Sequence, residues 1–174
     1  MKILAISGSL RRTSLNTMLL RAVVRLAPQD IKVGLCRGLG ELPLFNPDSE
    51  NPEPAAVADL RQQLVAADAV IIASPEYAHG VTGVLKNALD WMVGNESFVY
   101  KPVALLNASA RATHAQAALR EILSTMSARI IDTACLTVPL LGSNLDEDAI
   151  VQHPQLGPQL LAAMYELKQV SQKG

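Results

Sequence analysis

Short apolar runs, each too brief to be a helix, are followed again and again by stretches whose apolar residues recur at helical spacing, and this alternation constrains the fold more than any other feature. Lys2 to Ile6 is the first run, closed by Ser7-Gly8-Ser9, as expected of a strand covered on both faces in a parallel sheet. Leu15, Met18, Leu19, Ala22, Val23 and Leu26 then form one stripe, with Thr13 or Ser14 placed to cap it and Pro28 to end it. Ile31 to Cys36 reads as a second strand, after which Gly38, Gly40, Pro43, Pro47, Pro52 and Pro54 punctuate a long connection.

The pattern continues with a helix over Asp59 to Ala67, a strand over Ala69 to Ala73 and a helix striped by Val84, Leu85, Ala88, Leu89 and Met92. A strand at Pro102 to Asn107, a helix around Ala115 to Met126 and a strand at Ile130 to Val138 come next. An acidic loop at Asp146, Glu147 and Asp148 leads to a closing helix around Leu160 to Leu167. Strands that alternate with helices require right-handed crossovers and hence a parallel sheet. Five such units fit a doubly wound α/β fold of strand order 2-1-3-4-5, helices on both faces.

A length of 174 residues suits one domain spanning 1–174. Apolar residues are 49% of the chain and aromatics 3%, so the core is expected to consist of Ala, Val, Ile and Leu. Fifteen basic against sixteen acidic residues give a net charge of −1, which offers no field for gathering nucleic acid. Only four apolar residues, Ile3 to Ile6, follow Met1 and Lys2; this is too short for a leader or a membrane span, and a cytoplasmic protein without membrane insertion is expected. Cys36 and Cys135 lack metal or disulfide spacing and are expected as reduced, mostly buried thiols. His79, His114 and His153 show no metal-ligand spacing either.

In an open parallel sheet the ligand lies beyond the carboxyl ends of the strands, where strand order reverses between the first and third. The loops after Ile6 and Ala73 therefore carry the site. The first, Ser7 to Thr17, assembles hydroxyls, an amide, Arg11 and Arg12 at a helix start, a set equipped to hold a phosphate. It contains neither the Gly-Lys-Ser/Thr of a P-loop nor a GxGxxG fingerprint. The second loop, Ser74 to Gly80, is suited to lay backbone N–H and C=O groups along the polar edge of a flat heterocycle.

These residues resemble the NADPH-dependent FMN reductase family, which includes quinone, chromate and azo-dye reductases. Gly8-Ser9-Leu10-Arg11 through Ser14 and Asn16 match its phosphate loop. Pro75-Glu76-Tyr77 and the run Gly83-x-Leu85-Lys86-Asn87-Ala88-Leu89-Asp90-Trp91 match its second motif. The resemblance implies a flavodoxin-like fold and noncovalent FMN, with Ser9, Leu10, Arg11, Ser14, Asn16 and Thr17 around the phosphate. Pro75, Glu76, Tyr77, Ala78, His79 and Gly80 would lie at the ring edge, and Ser109 and Arg111 in a third loop beside the flavin. It also implies NADPH or NADH as donor, a small-molecule acceptor, and a homodimer or homotetramer whose shared surface Glu76 would face. The chain departs from the family at Ala78 and Thr82, where Asn and Pro are common.

Hydride passing through the flavin N5 needs orientation and electrostatics from the protein, so no catalytic acid or base is nominated. Lys86 and Asp90 read as an i, i+4 pair and Trp91 as packing. Two other classes compete with a reductase passing electrons to a quinone, free flavin, chromate or azo compound. An electron carrier like flavodoxin tends to be strongly acidic, unlike this near-neutral chain. A binding module that has lost the cofactor would purify without flavin.

Overall fold

The computed structural model describes residues 1–172. Five strand positions form one parallel sheet: β1 (Lys2–Ser7), β2 (Lys32–Leu35), β3 (Ala69–Ala73), and, after a small antiparallel hairpin of β4 (Glu76–Tyr77) and β5 (Gly80–Val81), β6 (Pro102–Asn107), then β7 (Arg129–Ile130) with β8 (Leu136–Thr137). The order β2-β1-β3-β6-β7 is the doubly wound, flavodoxin-like arrangement.

Period-two alternation within the central strands assigns each side chain to a face. Ile3, Ala5, Ile71, Ala73, Ala104 and Leu106 join one buried cluster, while Leu4, Ile6, Val70, Ile72, Val103 and Leu105 join the other. The first cluster is closed by α1 (Leu15–Leu26) and α6 (Leu156–Ser171), through Leu19, Leu20, Leu160 and Met164. The second is closed by α2 (Ala55–Val65), α3 (Gly83–Val93) and α4 (Thr113–Thr125), through Leu60, Leu64, Leu85, Leu89 and Leu119. Every residue of β3 and β6 is buried, which is why both read as unbroken apolar runs.

Three elements differ from the sequence expectation. The fifth strand does not run from Ile130 to Val138; a 3-10 turn at Asp132–Ala134 splits it, and both pieces pair with β6. The polar Asp132-Thr133 pair leaves the sheet, and Asp132 accepts from Arg120 Nη1 at 2.6 Å. Across the gap the Leu105 N–H donates to Cys135 Sγ at 3.3 Å. The second helix begins at Ala55 rather than Asp59, because Pro54 caps it in an extended conformation and the Val57 N–H already bonds the Pro54 carbonyl. The acidic loop is a sixth helix, α5 (Glu147–Gln152): Asp146 accepts from the Ala149 N–H at 2.8 Å, an N-cap made of the same negative charges that mark a helix start. Glu147 and Asp148 also meet Arg25 in the last turn of α1.

Cys36 and Cys135 are free and partly buried, and burial pushes the Cys36 thiol up to about 12. Among the described residues no helix is long and apolar enough to cross a membrane, and no cluster of metal-ligating side chains occurs.

Candidate functional site

At the carboxyl edge of the sheet, the loops after β1, β3 and β6 meet around a cleft of about 410 Å³, within the range of roughly 300–1,000 Å³ typical of small-molecule sites. Ser9, Arg11, Ser14 and Asn16 line it from the first loop, Pro75, Glu76 and Tyr77 from the second, and Ser109 and Arg111 from the third. Leu10, Thr17, Ala78, His79 and Gly80 are not on its wall. Leu10 is exposed beside Gly40, and the Thr17 hydroxyl lies 2.7 Å from Ser7 Oγ.

The first loop is built largely from its own side chains. Ser14 is the N-cap of α1, its Oγ accepting from the Thr17 N–H at 3.3 Å. Ser9 Oγ accepts from the Arg11 N–H at 3.3 Å, and Arg11 Nε donates to Thr13 Oγ1 at 3.0 Å. First-turn N–H groups have no partner inside the helix. With Thr17 taken by the cap, those of Leu15 and Asn16 belong to residues on the cleft wall. Asn16 is 7% exposed, and its Oδ1 is buried with no hydrogen-bond partner among the described residues. A buried amide oxygen left unpaired is costly, so a ligand hydroxyl or amide at this point would complete it.

The second loop is held from a distance. The β4–β5 hairpin turns on Ala78 and His79, both with positive φ (48° and 57°), the backbone of a type I′ turn. Glu76 Oε2 accepts from the Ala115 N–H at 2.8 Å and Oε1 lies 3.2 Å from His79 Nδ1. The N-cap position of α4, Ala112, offers no side-chain acceptor, and the Glu76 carboxylate fills that role from outside the helix. The Ala115 N–H first, and His79 after it, hold the Glu76 carboxyl below its ordinary value, while burial acts in the opposite sense. Within the chain the Glu76 side chain is 13% exposed and directed at α4. The rings of His79 and His114 stack edge-to-face, 4.8 Å between centroids.

In the third loop, Asn107 Oδ1 accepts from the Ser109 N–H at 3.0 Å and Ser109 Oγ from the Arg111 N–H at 3.3 Å. Arg11 and Arg111 make the cleft rich in positive charge, and its one carboxylate, Glu76, is already engaged. Asn107, Ala108, Ala112 and Leu141 line the cleft without having been singled out. The Asn-x-Ser spacing of an Asx turn was a readable signal for Asn107. Leu141 arrives from the connection after β8, and no local pattern announces it.

Behind the site, the helix motif is structural. Asn87 accepts from the Phe45 N–H at 2.8 Å and donates to the Pro43 carbonyl at 2.9 Å, and Trp91 Nε1 donates to the same carbonyl at 2.8 Å. Lys86 pairs with Asp90 at 2.5 Å.

The chain is 32% identical to a quinone reductase of Escherichia coli K12 over 76% of its own length and 74% of the relative's. It is 42% identical to an NAD(P)H-dependent FMN reductase of Pseudomonas aeruginosa over 63% of this chain and 60% of that one. Its backbone superposes on the flavoenzyme NAD(P)H:acceptor oxidoreductase FerB of Paracoccus denitrificans with a TM-score of 0.84, at 24% identity, covering 98% of this chain and 97% of the other. The NADPH-dependent FMN reductase family matches residues 1–140, and with its three loops gathered at the carboxyl edge of a doubly wound sheet, the chain belongs to that family.

Proposed function

We propose that the cleft holds FMN and that the chain, as one FMN-binding unit, passes electrons from NADPH or NADH to a small acceptor, with a quinone as the first class to test. The observation that carries this reading is the unpaired, buried Asn16 Oδ1 at the start of α1, on the wall of a cleft carrying two arginines. A ligand bearing both hydroxyl donors and a phosphate fits that donor set. In this reading Ser9, Arg11, Ser14 and Asn16 hold the phosphate and the hydroxyls next to it, Pro75 to Tyr77 meet the ring edge, and Ser109 and Arg111 form the opposite wall. When bound, FMN supplies the redox chemistry, taking hydride at N5 from the nicotinamide and giving it to the acceptor. The chain's residues bind and orient, and the buried Ala108 and Ala112 keep part of the wall dry.

Quinone is supported by likeness to the E. coli quinone reductase. Self-association is supported by Leu10 and Tyr77, which are 62% and 57% exposed in the stretches after β1 and β3. The free cysteines accord with a reducing compartment such as the cytoplasm.

The test is to load the protein with FMN, desalt it and record the visible spectrum, then add NADPH or NADH without oxygen. A retained yellow band that bleaches, and recovers on adding a quinone, supports the reductase. A retained band that nicotinamide cannot bleach points to an electron carrier, and no retained band to a module without cofactor. Asn16→Leu should lower FMN affinity by about tenfold while leaving the apoprotein as stable as wild type or more so, because the substitution removes an unpaired buried oxygen.

A further inference from the structure

Thr82 is a buried polar residue at the entry to α3 whose bond reaches the first loop. It is 2% exposed, and its Oγ1 donates to the Gly8 carbonyl at 2.7 Å, joining positions 74 residues apart. As the residue before α3, a threonine would ordinarily turn its oxygen onto the first-turn N–H groups of that helix. Thr82 makes no such cap.

The carbonyl it engages belongs to the first loop. Gly8 is fastened to the third strand's end in two further ways. Its N–H donates to the Ala73 carbonyl at 2.8 Å, and its α-carbon sits so close to Ser74 that an added Cβ would lie 2.2 Å from Ser74 Oγ. Neither of these fixes the direction of the Gly8 carbonyl. The Gly8 C=O and the Ser9 N–H are two ends of one planar peptide, so holding the oxygen sets where the N–H points. Ser9 N–H is otherwise engaged by Ser7 Oγ at 3.3 Å. Without the Thr82 hydroxyl, the long Ser9 N–H bond to Ser7 Oγ is what remains to hold the Gly8–Ser9 peptide, which can then swing and present a carbonyl dipole to an anion in the cleft.

We propose that Thr82 is a positioning residue: a buried latch that holds the Gly8 carbonyl away from the anion and keeps the first loop in its phosphate-binding form. The inference rests on the reading that this loop takes the FMN phosphate. Thr82 itself needs no help from Gly8 to stay in place, because its own carbonyl accepts from the Lys86 N–H at 2.9 Å as α3 begins. Loss of the latch therefore falls on the first loop and on the phosphate, and spares the ring.

The experiment compares FMN with riboflavin, which lacks the phosphate, by flavin fluorescence titration of wild type, Thr82→Val and Thr82→Ser. Thr82→Val keeps the shape and removes the hydroxyl. It should weaken FMN by about five- to tenfold, leave riboflavin affinity unchanged, and leave kcat at saturating FMN unchanged. Thr82→Ser should restore FMN affinity. Equal weakening of both flavins, or of neither, overturns the latch. If Thr82→Val does not fold, Thr82→Ala carries the same comparison, with thermal melting of the apoprotein as the control for folding. A wild-type protein that binds FMN no more tightly than riboflavin would refute the phosphate reading itself, whereas a preference undiminished in Thr82→Val refutes only the latch.

Discussion

The loop after β1 and the loop after β3 both line one cleft but are stabilised in different ways. Past Gly8, whose backbone bonds Ala73 and Thr82, the first is tied by bonds spanning two to ten residues: Ser7 to Thr17, Arg11 to Ser9 and Thr13, Thr17 to Ser14. The second turns through two non-glycine residues at positive φ, and its long-range anchor is the Glu76 bond to Ala115, 39 residues on. A loop made of local bonds retains its shape when its neighbours shift, while one hung from distant elements moves with them. Past the Gly8–Ser9 peptide, the phosphate wall is thus the stiffer part of the site and the ring wall the more adaptable.

The contrast breaks most severely where the two loops touch. Gly8 is not in a left-handed conformation, so steric contact alone forbids a side chain there; Gly8→Ala drives a methyl into Ser74 and should destabilise the protein by about 1–3 kcal/mol. Urea unfolding of the apoprotein measures this, and Gly8→Ala combined with Ser74→Gly should recover part of the loss. No recovery would mean that Ser74 is not the obstacle.

A smaller effect separates the two walls by pH. A carboxyl whose pKa is lowered by folding adds stability that is complete above its unfolded value, about 4.3 for Glu, and is lost as pH falls through the lower folded value. Glu76 is such a group. The stability gap between wild type and Glu76→Gln should therefore narrow as pH falls below about 4.3. A gap of constant size across that range would show that the carboxylate does not hold the ring wall to α4.

The smallest effect tests the strain in the hairpin. Ala78 adopts a left-handed conformation at a position where Asn is favoured. Ala78→Asn should raise stability by about 0.5–1 kcal/mol, read as a higher urea midpoint, with little change at the phosphate wall. An unchanged midpoint would show that the turn accommodates alanine without strain.

How much could be read in advance follows the same division. Strands β1, β3 and β6 announce themselves because burial on both faces writes an apolar run, and the Ser14 cap because it acts three residues away. The site residues of the first loop are recognisable for the same reason. Helix α5 was legible in principle from Asp146-Glu147-Asp148, which carry a helix-start signature and also fit an acidic loop. The break in the fifth strand was not: Asp132-Thr133 leaves the sheet because β6 can satisfy its own Leu105 N–H with Cys135, and that partner is known only once the strands are paired.

By itself, the sequence determined the layered sheet, the assignment of alternate residues to its two faces and the donor-rich loop at the first helix, because each depends on periodicity or on neighbours a few residues apart. The tertiary structure alone decided that Glu76 caps α4, that Leu141 joins the cleft, and that Thr82 gives its hydroxyl to Gly8 and not to its own helix. Those contacts join distant stretches of chain, and which of several available partners a polar group takes is settled only when the sheet has brought the loop ends together.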